Sequence, residues 1–326
     1  MCSGRSLASA FSKMKTILAP RASAILYNLL ASQKQAKPWL LPANICPIVP
    51  ITFMKAKIPF EFADISPESL HMDLDQAEAR MKTHEFGGLL YAHTYGDEST
   101  PDDFFARAKS LNPELLIVDD RCLCIPKFES ESSADVVLFS TGYAKIVELE
   151  FGGYAFMKDD GKCESTQLKY APAHHEELER DYKAAVQNLT RFEYDDSDWL
   201  QTEGELPVWE DYRRMVAVGL ELSLLQKRRL NAVYSARLPI EIQLQQQYQT
   251  WRFNIRVKNK KRMMDEIFAN RLFASSHYAS LAGIMSTGRA PVAEALAGEV
   301  INLFNDHHFD YDRAERLTSL ILKFLA

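Results

Sequence analysis

Asp119, Asp120, Ser140 and Lys145 are the residues whose types and spacing could do chemistry together. From Leu115 the chain reads LLIVDDRCLC, then ADVVLFSTGYAK, then IVELEFGGYAFMK. The apolar run Leu115–Val118 ends in the two aspartates, and Val136–Phe139 ends in Ser140, with Lys145 just beyond. A third strand is expected over Gly152–Met157. Wholly apolar strands suit a sheet covered on both faces, and ligands gather at the carboxyl ends of such strands. An acid and a lysine therefore share one rim. A lysine amine there can attack a carbonyl once its surroundings lower its pKa from about 10.4. The plain alternatives are a surface lysine after a strand and an acid that caps a helix or sits in an ion pair.

The elements that must position these residues alternate in type. A buried helix is expected over Ser23–Leu30, entered at Pro20-Arg21, followed by Trp39–Val49, where prolines break a strand. Ile58–Ile65 alternates like a strand, Leu74–Met81 suits a short helix, and Gly88–Tyr91 a strand. Thr100 is an expected N-cap, with Pro101 at the first helical position and Asp102 and Asp103 in the first turn. Alternating strands and helices argue for a mainly parallel, doubly wound α/β sheet. Beyond Met157 the pattern changes: a polar helix at His174–Leu189, an acidic loop at Phe192–Glu205, and a long amphipathic helix at Met215–Tyr234. Trp251–Val257 reads as a strand, while Met263–Phe268, Ala293–Phe304 and Ala314–Leu325 read as helices. The expected division is a large α/β domain over residues 1–208 and a small α+β domain over 209–326.

Composition narrows the function. With 326 residues, 47% apolar and 25% charged, the chain reads as a soluble globular protein. A net charge of −6 without a broad basic stripe gives no expectation of nucleic acid, and no apolar run suits a membrane span. The start, MCSGRSLASAFSKMK, lacks a long apolar core, so cytoplasm is the expected location. Cys122 and Cys124 have no second pair at zinc spacing and read as buried thiols. His174-His175 and His307-His308 show no metal spacing and read as surface residues, so no metal is expected.

Phe139-Ser140, Lys145 and Gly152-Gly153 resemble the lysine segment of the DegT/DnrJ-type sugar aminotransferases, pyridoxal-phosphate (PLP) enzymes of fold type I. Asp119-Asp120 resembles their Glu-Asp pair. Leu40–Ala43, Phe62–Ile65, Tyr91–Gly96, Trp251–Val257 and Ser276–Tyr278 look like segments at corresponding places, in the same order. The resemblance implies that Lys145 holds PLP as a Schiff base and that Asp120 keeps the pyridine nitrogen protonated. It implies that Ser140, Arg21 and the helix start at Ala22 bind the phosphate, with Cys46 nearest the ring. His93, Tyr95 and His277 become candidates on the substrate side. Amino transfer from glutamate to a keto sugar, and a homodimer sharing its sites, follow as expectations.

Departures from the family pattern are also plain. Ala19–Ser23 (APRAS) replaces a Ser-Gly-Thr-like turn, Leu123 a polar residue and Phe151 a glutamate. No aromatic lies over Ala43–Pro47, and no asparagine counterpart stands near Tyr212-Arg213-Arg214. The rival expectations are therefore a catalytically degenerate or regulatory relative, and a binding module without cofactor.

Overall fold

The computed structural model describes residues 14–130, 132–159 and 163–326. Cys2 and the N-terminal stretch lie outside them. Seven strands form the main sheet: β1 (Lys15–Ala19), β2 (Trp39–Pro42), β3 (Phe60–Ala63), β4 (Gly88–Ala92), β5 (Leu116–Asp120), β6 (Val136–Ser140) and β7 (Gly153–Met157). Their spatial order is β1-β7-β6-β5-β4-β2-β3, and only β7 runs against its neighbours. Helices α1 (Ala22–Ala31), α2 (Ile48–Lys55), α3 (Leu74–Met81) and α4 (Asp102–Leu111) come from the connections.

Strand β5 shows why its run is apolar throughout. Leu116 and Val118 enter a core with Ile25 and Leu29 of α1, while Ile117 enters another with Phe104, Phe105 and Ala108 of α4. Both faces are covered, so side chains on either side of the pleat are apolar. Burying each such side chain contributes about 1.5–3 kcal/mol.

The rest of the chain contributes α5 (Pro172–Asn188), α6 (Trp209–Arg237) and a smaller antiparallel sheet. That sheet has β10 (Val300–Leu303) between β8 (Phe253–Arg256) and β9 (Ala274–Ser275). Around it lie α7 (Lys260–Ala269), α8 (Pro291–Glu299) and α9 (Tyr311–Leu325). Helix α6 serves both sheets. Tyr212 and Val216 pack with Phe139 and Tyr154, whereas Leu230, Val233 and Tyr234 pack with Phe253, Ile255 and Ile301. No helix among the described residues is long and apolar enough to cross a membrane.

Several sequence expectations are corrected. Residues 293–304 are not one helix: α8 stops at Glu299 and Val300–Leu303 becomes the central strand of the small sheet. Two ladders satisfy its backbone, and β-branched Val300 and Ile301 suit the pleat. Thr100 does not cap α4, because Pro101 holds that place and the Thr100 hydroxyl accepts from Arg121 Nη2. Trp39–Val49 resolves into β2 followed by the start of α2, and the sequence reading had no place for β1.

Candidate functional site

The register of the main sheet brings Asp120, Ser140 and Gly153 onto one face. Asp120 pairs with Leu138 of β6, and Ser140 two residues later pairs with Gly153 of β7. Alternation places Asp120 on the α1 side, with Leu116 and Val118, and turns Asp119 to the other side. A Cβ on Gly153 would lie 2.2 Å from Ala22 N, so only glycine lets the first turn of α1 rest on the sheet there. The helix is entered at Arg21, whose backbone is extended and whose side chain does not cap it. First-turn N–H groups left uncapped in this way favour an anion. Arg21 Nε is buried without a hydrogen-bond partner, and Ser140 Oγ accepts from Gly142 N at 3.3 Å. Arg21, Ala22 and Ser140 thus offer donors that could accept an anion.

Asp120 is 8% exposed, and its Oδ1 accepts from Cys122 N at 2.9 Å. Burial pushes the thiols of Cys46 and Cys122 up; the charge of Asp120 adds to this, and the charge of Lys145 opposes it. Those shared influences gather Asp120, Lys145, Cys46 and Cys122 at one place. Tyr278 joins them: burial, followed by the nearby Cys46, Asp120 and Cys122, raises its pKa.

Lys145 is half-buried in the 141–152 loop, which several elements clamp. Leu149 N donates to Thr141 O at 2.8 Å, and the Thr141 hydroxyl bonds the Tyr212 hydroxyl of α6 at 2.6 Å. Ser223 Oγ, also of α6, donates to Ile146 O. Ala144 has a positive φ of 57°; its N–H donates to Glu148 Oε1 at 3.1 Å and its carbonyl accepts from Trp251 Nε1. Trp251 lies parallel to both Tyr95 and Tyr278.

The remaining candidates lie elsewhere. Asp119 is fully buried, with His93 Nε2 at 2.5 Å and Arg121 Nε at 2.9 Å. Burial alone would raise its pKa, but the His93 hydrogen bond and the Arg121 charge overcome that and hold it below the ordinary value. His93 also meets Asp97 O through Nδ1 at 2.6 Å, so its ring is engaged behind the sheet with Asp119. Tyr95 is 1% exposed and backs Trp251. His277 is exposed, its ring beside Tyr278 and Trp251. His175 is not a free surface residue: it is half-buried near Trp199, and burial followed by the Arg21 charge lowers its pKa. Sequence reasoning missed Trp251 and Tyr278 as site residues, and the WRFNIRV and SHY segments were their only signal.

No family model matches the chain, and no curated protein matches it in sequence. Solved structures match it in fold. A DegT DnrJ EryC1 StrS aminotransferase from Brucella abortus has a TM-score of 0.66 at 14% identity, covering 96% of this chain and 87% of that one. A putative sugar aminotransferase from Streptococcus pneumoniae in its PLP form gives 0.68 at 14%, covering 97% and 89%. An E. coli GDP-4-keto-6-deoxy-D-mannose-3-dehydratase with bound hydrated PLP gives 0.64 at 13%, covering 95% and 88%. The chain thus has the α/β fold of the PLP-dependent aminotransferases, as the resemblance implied.

Proposed function

We propose that the chain binds PLP and transfers an amino group, with glutamate as donor and a keto (nucleotide-)sugar or related ketone as acceptor. One arrangement supports this reading: Asp120 and Ser140 share the sheet face on which the uncapped start of α1 rests, and the charge of Lys145 reaches the same Cys46 and Cys122 thiols as that of Asp120. The name of the Brucella structure supports an aminotransferase, and that of the Streptococcus structure a sugar aminotransferase.

The residues fit the cofactor at three points. The orphaned Arg21 Nε, Ser140 and the uncapped start of α1 would hold the phosphate; Asp120 would face the pyridine nitrogen; Lys145 would engage the aldehyde carbon. When bound, PLP supplies an electron sink for the pair left behind as a proton leaves the substrate carbon. Asp120, oriented by the Cys122 N–H, would be the residue that holds the ring-nitrogen proton. Lys145 Nζ would take up that substrate proton and return it. Tyr278 and the half-buried Cys46 would line the site, and the exposed His277, its ring beside Tyr278, would serve the substrate side. His93 acts from behind the sheet through Asp119, and Tyr95 acts through Trp251.

A second copy of the chain completes the reading. On α6, Met215, Val218, Leu222 and Leu225 are 40–66% exposed at heptad-like spacing, and Tyr143, beside Lys145, is 73% exposed. A homodimer would cover them.

A second reading, a relative that keeps the fold and PLP without transamination, is favoured by Leu123 and Phe151 where polar residues are expected. Spectroscopy separates the two. Addition of PLP should produce a protein-linked near-visible band, and glutamate should then bleach it. A band that glutamate leaves untouched supports the second reading, and no band at all defeats both.

A further inference from the structure

Glu148 lies far in sequence from the adjacent pair His307-His308, yet the three meet in the fold, where both histidines are exposed as expected. One ligand atom from each lies within 4.8 Å of the other two, and His308 Nε2 is 3.2 Å from Glu148 Oε2. We propose that these three side chains bind a divalent transition-metal ion of the zinc class, joining the Lys145 loop to the turn between β10 and α9.

The ligands are held for that purpose. Glu148 Oε1 already takes the Ala144 N–H, which orients Oε2 outward to His308, and this side chain is only 8% exposed. A ligand carboxylate fixed by a second hydrogen bond is the usual support of a metal site. On the other side, the turn is anchored at both ends. Lys227 Nζ donates to Asn305 Oδ1 at 3.0 Å, and Gln226 Nε2 donates to Phe309 O at 2.9 Å. Asp306 Oδ1 accepts from His308 N at 3.2 Å, and Arg313 Nη1 donates to His308 O at 3.0 Å. Asp306 and Phe309 are buried, while the histidines between them face solvent with ring centroids 3.9 Å apart. A fixed backbone thus presents two imidazoles to a fixed carboxylate.

Donor chemistry selects the ion. Two imidazoles and one carboxylate suit zinc and its neighbours, whereas magnesium and calcium prefer all-oxygen shells. In a tetrahedral zinc site, ligand atoms stand roughly 3.3 Å apart, given bonds of about 2.0–2.2 Å. The Glu148–His308 pair has that spacing, and side-chain rotation of the exposed His307 closes the remainder. The buried cations Lys227 and Arg252 lie near Glu148, and Asp306, 3.3 Å from Arg252, offsets them. The fourth position remains open to water.

Calorimetric titration of the full chain, stripped with chelator, tests this with Zn²⁺ and Mg²⁺. One Zn²⁺ per chain should bind in the micromolar range or tighter, and Mg²⁺ should not bind. His308→Ala and His307→Ala should each weaken Zn²⁺ binding roughly tenfold or more, and the double variant should abolish it. Both residues are exposed, so the metal-free variants should unfold at the wild-type temperature. No saturable Zn²⁺ binding, or binding undiminished in the double variant because thiols carry it, overturns the proposal.

Discussion

The indole N–H of Trp251 donates to the carbonyl oxygen of Ala144 at 2.7 Å, so the entry to the small sheet holds the peptide that leads into Lys145. Trp251 is 2% exposed, with Tyr95 at 6.5 Å and Tyr278 at 6.2 Å in near-parallel planes. Trp251→Phe should keep most of that packing and strand the Ala144 carbonyl. The expected result is a stability loss of about 1–3 kcal/mol in urea and slower capture of PLP by Lys145. Capture at the wild-type rate would show that the bond does not position the lysine.

Lys145 should be the residue that borohydride joins to PLP. Peptide mapping by mass spectrometry reads this directly, and Lys145→Ala should abolish the label. A label on Lys183 or any other lysine would contradict the assignment.

Neighbouring aspartates should fail in different ways. Asp119→Asn breaks a buried pairing with His93 and Arg121, so it should cost about 3–5 kcal/mol of stability. Asp120→Asn should leave the unfolding midpoint nearly unchanged while reducing amino transfer about a hundredfold or more. Paired denaturation and activity measurements decide; a stable, inactive Asp119→Asn would reverse the roles.

Acid should destabilise the protein through His71. Burial, then the charge of His93, lowers its pKa to about 4, whereas an unfolded histidine titrates near 6.5. Between those values the unfolded chain binds the proton and the folded chain does not. Stability is therefore full above pH ~6.5 and falls as pH drops toward ~4. Asp119, with its lowered pKa, loses its contribution only below that window. Urea unfolding at pH 7 and pH 5 should show about 2 kcal/mol less acid loss in His71→Gln than in wild type. Equal losses would remove His71 from the account.

The exposed stripe of α6 should carry the contact between two copies of the chain. Light scattering should give about twice the 37.1 kDa chain mass, and Leu222→Glu with Leu225→Glu should return the monomer. A wild-type monomer at micromolar concentration would end the shared-site expectation.

The strands at the rim were readable because both of their faces are buried, which leaves an unbroken apolar run ending where polar chemistry begins. Asp120, Ser140 and Lys145 follow such runs. Trp251 and Tyr278 were not readable as site residues, because their contacts with Ala144 and Cys46 span sequence separations that no local pattern encodes. Val300–Leu303 misled for another reason: a short apolar run after a helix continues its pattern until tertiary pairing turns it into a strand. Thr100 had the composition of a cap, but Arg121, folded in from β5, claimed its hydroxyl.

Helix α6 also fixes an angular phase between the two sheets. It is unbroken for 29 residues, with Tyr212 and Val216 seated at one end and Leu230, Val233 and Tyr234 at the other. Each added residue turns a helix by about 100° and lengthens it by about 1.5 Å. A single alanine inserted after Leu222 would swing Trp251 away from Ala144, although it touches neither. Seven inserted residues nearly restore the rotation but lengthen the helix by about 10 Å. The helix therefore sets rotation and spacing together, and the chain has little freedom to change either alone.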